Sequence, residues 1–326
     1  MKEDQKIKKE MLKKVMENSQ KKYGKKIVVE GGYYTIEFIP TGCYSLDQVL
    51  GGGIPRGRII EIFGLESSGK SALAAFLVAQ FQKQGKTAMW FDLEHVWDDK
   101  YAKKIGVDTD LLIKGFSPSA ELTLTIMEEY IRSCAIDVMV IDSVDGMLPD
   151  EMAGKDVGDK LMAPLARLMG QGLRKMIGAI ADSKTSVIFV NQLREKMNTF
   201  AFGNKYSTSG GLALRFYSSV RLEVTKIKKL LNKDGVNIGN RLRIKVVKSK
   251  VGDPSQIAEL DLYFASGIDV IADIFDQSSE KQIIKKSGNT YEYGDTKLGV
   301  GRDTAIDFLK KETKIFEKIK KELENK

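Results

Sequence analysis

Of the residues that build most disulfide frameworks and metal centres, this 326-residue chain has few: two cysteines, Cys43 and Cys134, and one histidine, His95. The cysteines are too few and too far apart for a disulfide scaffold, and no Cys/His cluster has zinc spacing. With a single histidine, multi-histidine metal sites and Ser-His-Asp hydrolysis lose their main parts. Long apolar runs are also missing, so no segment is expected to span a bilayer as a helix. The polar, Lys-rich first residues lack the apolar stretch of a secretory signal, and the expectation is a cytoplasmic protein. What is present is a globular composition, 42% hydrophobic and 29% charged, with a formal net charge of +8. That supports a sizeable core in one large domain or two smaller ones.

The positive charge is uneven. Residues 1–26 hold ten Lys against four acids and carry Ile7, Met11 and Val15 at i, i+4 spacing. This reads as a short amphipathic helix that docks on another surface. Between Lys226 and Lys250 nine basic residues face one acid, Asp234. Composition leaves two readings of that stretch open: a hairpin edge guarded by lysine, or a surface facing a polyphosphate.

Through the middle of the chain short apolar runs alternate with helical stretches. Arg58–Gly64, Thr87–Glu94, Asp137–Ser143 and Ser186–Gln192 are nearly continuous in Val, Ile and Phe, as parallel strands covered on both faces are. Ser71–Gln84, Ala120–Cys134 and Leu161–Ile180 between them have helical length and period. The alternation predicts an α/β domain around a mostly parallel sheet. Beyond Gly211 the pattern changes to strand-like alternation at Ser219–Thr225, Arg241–Lys250 and Glu259–Phe264, with a turn-rich Asn232–Asn240. From Ile268 onward a small separate module is expected, ending in a Lys/Glu-rich helix over Thr304–Asn325.

Gly64-Leu-Glu66-Ser67-Ser68-Gly69-Lys70-Ser71 fits G-x-x-x-x-G-K-[ST], directly after a predicted strand and before a predicted helix. Glycines let the backbone wrap phosphates, N–H groups and the helix start supply partial positive charge, Lys70 reaches the terminal phosphates, and Ser71 ligates Mg²⁺. A second apolar strand ends in Asp142, suited to the Mg²⁺ shell of the same nucleotide. Asp92 and Glu94 close the strand Thr87–Glu94. From the residues alone, Glu94 is either an exposed carboxylate at a strand end or the group that orients an attacking water. Gln192 closes the fourth strand, where an amide could sense the γ-phosphate, and a polar, glycine-containing loop over 193–209 follows.

Taken together, GLESSGKS at 64–71, FDLEHVWDDKYAKKIGVD at 91–108, VIDSVDGMLP at 140–149, NQLREK at 191–196 and TSGGLALRFYSSVR at 208–221 resemble the bacterial RecA recombinase family, its phage and viral relatives included. RLRIKVVKSK at 241–250 and GNTYEYGDTKLGVGRDTAIDFLK at 288–310 match in order and spacing. The resemblance covers nearly the whole chain. It implies a RecA-like P-loop ATPase core over 34–267 with two DNA-binding loops, an N-terminal oligomerisation helix and strand over 1–33, and a small α+β C-terminal domain over 268–326. The implied cofactors are ATP and Mg²⁺. Glu94 would be the catalytic base, Asp98 and Tyr101 would hold the adenine, and Gln192 would couple the γ-phosphate to the adjoining loop. Lys248 and Lys250 would reach a neighbour's ATP, with Phe216 at the same interface and Ile27, Val28 and Val29 docking on an adjacent protomer. DNA contact would fall to the loops Glu151–Met162 and Arg194–Ser209. Arg167, Arg174, Arg194, Lys196, Gly210 and Gly211 would meet phosphates, and Met162 and Met197 would wedge between bases. The chain departs from the family at Gly170 and Leu212, where polar DNA-contacting residues are typical, and in ending on ELENK in place of an acidic tail.

The implied function is an ATP-dependent recombinase. It would form a helical filament on single-stranded DNA, then pair it with duplex DNA and promote strand exchange in repair, with no membrane partner. Two alternatives are a hexameric ring motor with a similar core and a DNA-binding scaffold that has lost hydrolysis. The motor reading gives no reason for the 208–221 peptide or the Lys248/Lys250 pair, and an intact Lys70, Asp142 and Glu94 speak against the scaffold.

Overall fold

The four apolar runs become the parallel centre of one ten-stranded sheet. The computed structural model describes residues 2–24, 28, 35–152, 162–195 and 206–326, which divide into two units, 1–37 and 38–326. In the first, α1 (Lys2–Tyr23) is followed by Gly24, whose N–H bonds the Gln20 carbonyl at 3.0 Å. Ile7, Met11, Leu12 and Val15 are all exposed along α1.

The second unit opens with β1 (Phe38–Ile39), α2 (Tyr44–Leu50) and β2 (Ile54–Pro55). The alternating core follows: β3 (Ile59–Gly64), α3 (Lys70–Lys83), β4 (Ala88–Asp92), α4 (Asp99–Ile105), β5 (Ile113–Gly115), α5 (Ala120–Arg132), β6 (Val138–Asp142), α6 (Met162–Ser183) and β7 (Ser186–Glu195). Then come β8 (Tyr206–Thr208), α7 (Gly211–Tyr217), β9 (Val220–Leu231), β10 (Asn237–Ser249), β11 (Ile257–Tyr263) and β12 (Gly267–Ile268). The chain closes with α8 (Val270–Glu280), β13 (Lys285–Ser287), β14 (Thr290–Tyr293), β15 (Thr296–Val300), α9 (Arg302–Lys311) and α10 (Thr313–Glu324).

The sheet runs β12-β11-β10-β9-β3-β7-β6-β4-β5, with β8 on β7. Pairings from β9 to β5 are parallel, and β9 through β12 are antiparallel. Every residue of β3, β4 and β6 is buried, because helices cover both faces. On one face α2 and α3 pack with Ile60, Ile62, Trp90 and Val140. On the other α5, α6 and α7 pack with Ile59, Phe91, Ile141 and Phe189. Alternate side chains of each strand feed alternate cores, as a two-residue period requires. A third core, around Phe275, Ile284, Leu298 and Leu309, joins α8, α9, α10 and the small sheet β13-β14-β15.

Three expectations need correction. Asn237–Asn240 belongs to β10 and not to the turn, so the hairpin turn is shorter than its composition suggests. The helix expected over 304–325 is two helices broken at Glu312, whose φ −95°, ψ 68° is not helical. The 193–209 segment is not loop at its ends, because Leu193, Arg194 and Glu195 pair antiparallel with Thr208, Ser207 and Tyr206. Polar side chains make those ends read as loop, but a strand pair needs only backbone partners and one covered face. Among the described residues no helix is long and apolar enough to cross a membrane.

Candidate functional site

β3 ends at Gly64 and α3 starts at Lys70, so the glycine-bounded loop turns over the carboxyl edge of the sheet, where α/β folds bind ligands. Gly69 takes φ 95° as it enters the helix, and a Cβ on Gly64 would collide with the Val224 carbonyl. Both positions therefore require glycine. Ser67 also lies at positive φ, 57°, within the same loop. The Ser68 hydroxyl is buried and has no hydrogen-bond partner among the described residues. Lys70 Nζ donates to the Leu65 carbonyl at 2.8 Å across the loop. Burial lowers its pKa, opposed by the charges of Asp142, Glu94 and Asp145.

Asp142, the last residue of β6, is hydrogen-bonded to Ser71, and its peptide with Ser143 is cis. Burial pushes the Asp142 carboxyl up to about 6, the Ser71 hydroxyl works against this, and Glu94 and Asp92 add to it. A hydroxyl and a desolvated carboxylate side by side are hard oxygen donors, the set that suits Mg²⁺. Ser71 and Asp142 would hold such an ion, whose charge would offset the burial of Asp142.

Glu94 lies beyond the strand expected to end on it. β4 stops at Asp92, whose two carboxylate oxygens accept the Val96 and Trp97 N–H groups at 3.2 and 3.0 Å. That turn carries Glu94 over β6 and β7, where its Oε1 accepts the Ser143 hydroxyl and, at 3.3 Å, the Gln192 amide. Gln192 likewise does not close its strand, since β7 continues to Glu195. His95 sits at φ 56° in the same turn, its ring stacked on Phe116.

Asp98 caps α4 by accepting the Lys100 N–H at 2.8 Å. With Tyr101, Trp90, Trp97, Ser71 and Asp142 it lines a cavity of about 80 Å³. Burial raises the Tyr101 pKa. The residues expected to hold the base and those expected to hold the metal thus share one cavity wall.

Around the second expected loop, Gly210 takes a left-handed conformation and α7 begins at Gly211. Arg167 and Arg174 project from α6 into a groove of about 710 Å³ against α7, which Gly170, Leu212 and Phe216 also line. Arg167 pairs with Glu151 at 3.3 Å, and Arg174 meets the Tyr217 hydroxyl at 3.5 Å. Lys248 Nζ donates to the carbonyls of Arg215 and Phe216 at 2.6 and 2.9 Å, and Lys250 Nζ to that of Phe216 at 3.1 Å. Both therefore cap α7, favoured by the helix dipole, and burial followed by the Lys250 charge lowers the Lys248 pKa. The Phe216 ring is exposed, 5.6 Å from Lys250. Val28 is exposed, and its carbonyl accepts the Gln20 amide at 2.7 Å. Met162 starts α6, but its side chain lies outside the described residues, as do Ile27, Val29, Lys196 and Met197.

Two residues of this region carry no expectation from the sequence. Asn191 bridges the Ser209 carbonyl at 2.9 Å and buried Glu61 at 3.0 Å. Asp145 gathers three partners from β7 and the turn after β8. Its only sequence signal is a second acid three residues after Asp142.

Strand, glycine-bounded loop, helix and a carboxylate on a neighbouring strand at the same sheet edge define an α/β P-loop nucleotide-binding core. The model for the RecA N-terminal domain matches residues 10–269, and that for the RecA C-terminal domain matches 272–326. Similar proteins include Protein RecA of Clostridioides difficile, 47% identical over 309 residues, 92% of this chain and 88% of that protein. Protein RecA of Clostridium novyi is 45% identical over 311 residues, 94% of this chain and 88% of its own. For Protein RecA of Bifidobacterium breve the figures are 47% over 285 residues, 87% of this chain and 72% of the relative. The chain belongs to the RecA family. That similarity, over most of the chain, makes it a RecA recombinase, and the hexameric motor reading is not favoured.

Proposed function

We propose that this chain hydrolyses ATP when assembled on single-stranded DNA and uses the nucleotide to switch its hold on that strand. The observation that carries this reading is Gln192: its side chain touches Glu94 in the nucleotide site, and two residues further along the same strand lies Arg194. A change at the γ-phosphate that moves Glu94 or Gln192 is transmitted to Arg194 through one rigid strand. In this reading Lys70 and the loop N–H groups of Glu66, Ser67, Ser68 and Gly69 hold the phosphates. Glu94 orients the attacking water, and Asp98 and Tyr101 cover the base. Mg²⁺ at Ser71 and Asp142 would neutralise developing phosphate charge.

Arg167, Arg174, Arg194, Lys196, Gly210 and Gly211 contact the DNA backbone, and Met162 and Met197 separate its bases. Backbone-dominated contact suits strand exchange, because the bases stay free to test pairing with a duplex bound second. Protomers join head to tail through 1–33, with Ile27, Val28 and Val29 docking on the adjacent protomer, and Phe216 sits at the interface that Lys248 and Lys250 reach across. Lys248 and Lys250 then serve the neighbour's ATP. A heterologous contact that does not close yields an open helix. The body of the chain divides into a core over 34–267 and a small domain over 268–326, and the compartment is the cytoplasm.

The test combines phosphate release with electron microscopy. ATP turnover should be strongly stimulated by single-stranded DNA. With a non-hydrolysable ATP analogue, open helical filaments should form on the strand, and Lys70→Ala should abolish both. Closed six-membered rings, or strand binding indifferent to nucleotide, would overturn the reading.

A further inference from the structure

Asp145 lies in the single turn after β6, with a side chain only 7% exposed, yet its partners come from elsewhere. Oδ2 accepts the backbone N–H of Gln192 at 3.2 Å. Oδ1 accepts the Ser209 hydroxyl at 2.6 Å and the Arg194 guanidinium, whose Nη2 stands 2.7 Å away. One carboxylate therefore fastens β7, at the residue that touches Glu94, to the turn that follows β8. The same charge also acts on Lys70 in the phosphate cradle. Arg194 differs from the other two partners in being 62% exposed. A cavity of about 120 Å³ opens beside the pair, lined by Asp145, Arg194, Ser209, Gly210 and Leu148.

We propose that Asp145 is a positioning residue for DNA binding: it holds Arg194 when no polynucleotide is present, and a backbone phosphate takes its place. This rests on the reading of Arg194 as a strand-contacting residue given above. Carboxylate and phosphate oxygens accept the same charge-assisted hydrogen bonds from a guanidinium, so the two compete for Arg194. Asp145 cannot follow Arg194 outward, because it is buried and fixed by Gln192 and Ser209. Arg194, long and largely exposed, can swing. When it leaves, the carboxylate keeps two hydrogen bonds, so the exchange strands no unpaired buried charge. An ion pair with one exposed member is weak, so the exchange is reversible and sets an affinity threshold without blocking binding.

The measurement is the Kd for a labelled oligo(dT) strand at low salt with a non-hydrolysable ATP analogue, in a double-mutant cycle. Asp145→Asn should tighten binding about threefold to fivefold, the range expected for freeing one such ion pair. In an Arg194→Gln background the same change should have no effect, and Asp145→Glu should bind like the parent. The gain should shrink as salt is raised. Equal tightening in both backgrounds would reduce the effect to net charge. Weaker binding by Asp145→Asn, or Asp145→Glu behaving as Asp145→Asn, would make Asp145 a purely structural tie. Either result overturns the proposal. If Asp145→Asn does not fold, Asp145→Thr removes the charge while keeping a hydroxyl oxygen for its neighbours and completes the cycle. Failure of the parent protein to bind the strand with the analogue would count against the proposed function itself, a distinguishable outcome.

Discussion

Gln192 donates its side-chain amide to Glu94 Oε1 over 3.3 Å, tying the middle of β7 to the turn after β4. Ser143, next to Asp142 at the end of β6, donates to the same oxygen. Glu94 is therefore oriented by two donors, one just after β6 and one on β7. The prediction is that Glu94→Gln, which keeps the shape and loses the basic carboxylate, binds a fluorescent ATP analogue within about threefold of the parent. Its DNA-stimulated phosphate release should fall by about 100-fold or more, the range for loss of general-base assistance. Normal turnover would assign the base elsewhere.

The two tryptophans of the chain stand against the expected nucleotide site. Trp97 lines the cavity with Asp98 and Tyr101, its ring centroid is 4.7 Å from that of buried Trp90, and its Nε1 donates to Asp99 at 2.7 Å. A base entering beside Tyr101 changes the polarity and stacking around Trp97. Addition of ATP and Mg²⁺ should alter the intrinsic fluorescence in a saturable way, and Trp97→Phe should remove most of the change while leaving ATP affinity within a few-fold. A signal that survives in Trp97→Phe would place the base away from this cavity.

Much of this site is legible in the order of the amino acids alone. GLESSGKS between a strand and a helix forces a phosphate-sized turn, since glycine is the residue that survives the Val224 carbonyl at Gly64 and the left-handed entry at Gly69. The central strands are legible because burial on both faces writes itself as unbroken Val, Ile and Phe. Asp145 is not, because its partners Gln192, Arg194 and Ser209 lie far along the chain and only sheet order unites them. The break at Glu312 is hidden for a related reason: Lys and Glu continue the helical pattern through it, and tertiary packing of Ile306 and Ile319 into one core sets the corner. The small sheet β13-β14-β15 has short, largely polar strands whose stability comes from packing of Leu298 and Tyr291 on that core, which local pattern does not encode.

Beneath the candidate site, Glu61 on β3 and Arg221 on β9 form a buried ion pair, with Asn191 donating to the same carboxylate and the Phe63 ring under the guanidinium. Both side chains are almost wholly removed from solvent. Removing one partner leaves an uncompensated buried charge. Glu61→Gln or Arg221→Met should each destabilise the fold by about 3–5 kcal/mol, whereas the double variant should recover part of that loss. Denaturant titration of the three variants checks it, and additive single losses would show that the charges do not act as a pair.

Asp273 on α8 accepts the backbone N–H of Ser45, at the start of α2, at 3.1 Å. Burial pushes its carboxyl up to about 6 from an ordinary 3.8, against the pull of the Ser45 hydrogen bonds. The folded protein therefore binds this proton more tightly than the unfolded chain does. The resulting stabilisation is fully present below the ordinary value and is lost as pH rises from about 4 through about 6. Above that window the folded state carries a buried carboxylate that the N–H groups at the α2 terminus only partly compensate. Asp273→Asn keeps an oxygen for the Ser45 N–H and cannot titrate. Its stability relative to the parent should rise across pH 4–6 and level off beyond, which urea unfolding at a series of pH values would record. A difference between the two proteins that stays flat across that window would mean that Asp273 is not the group that binds the extra proton on folding.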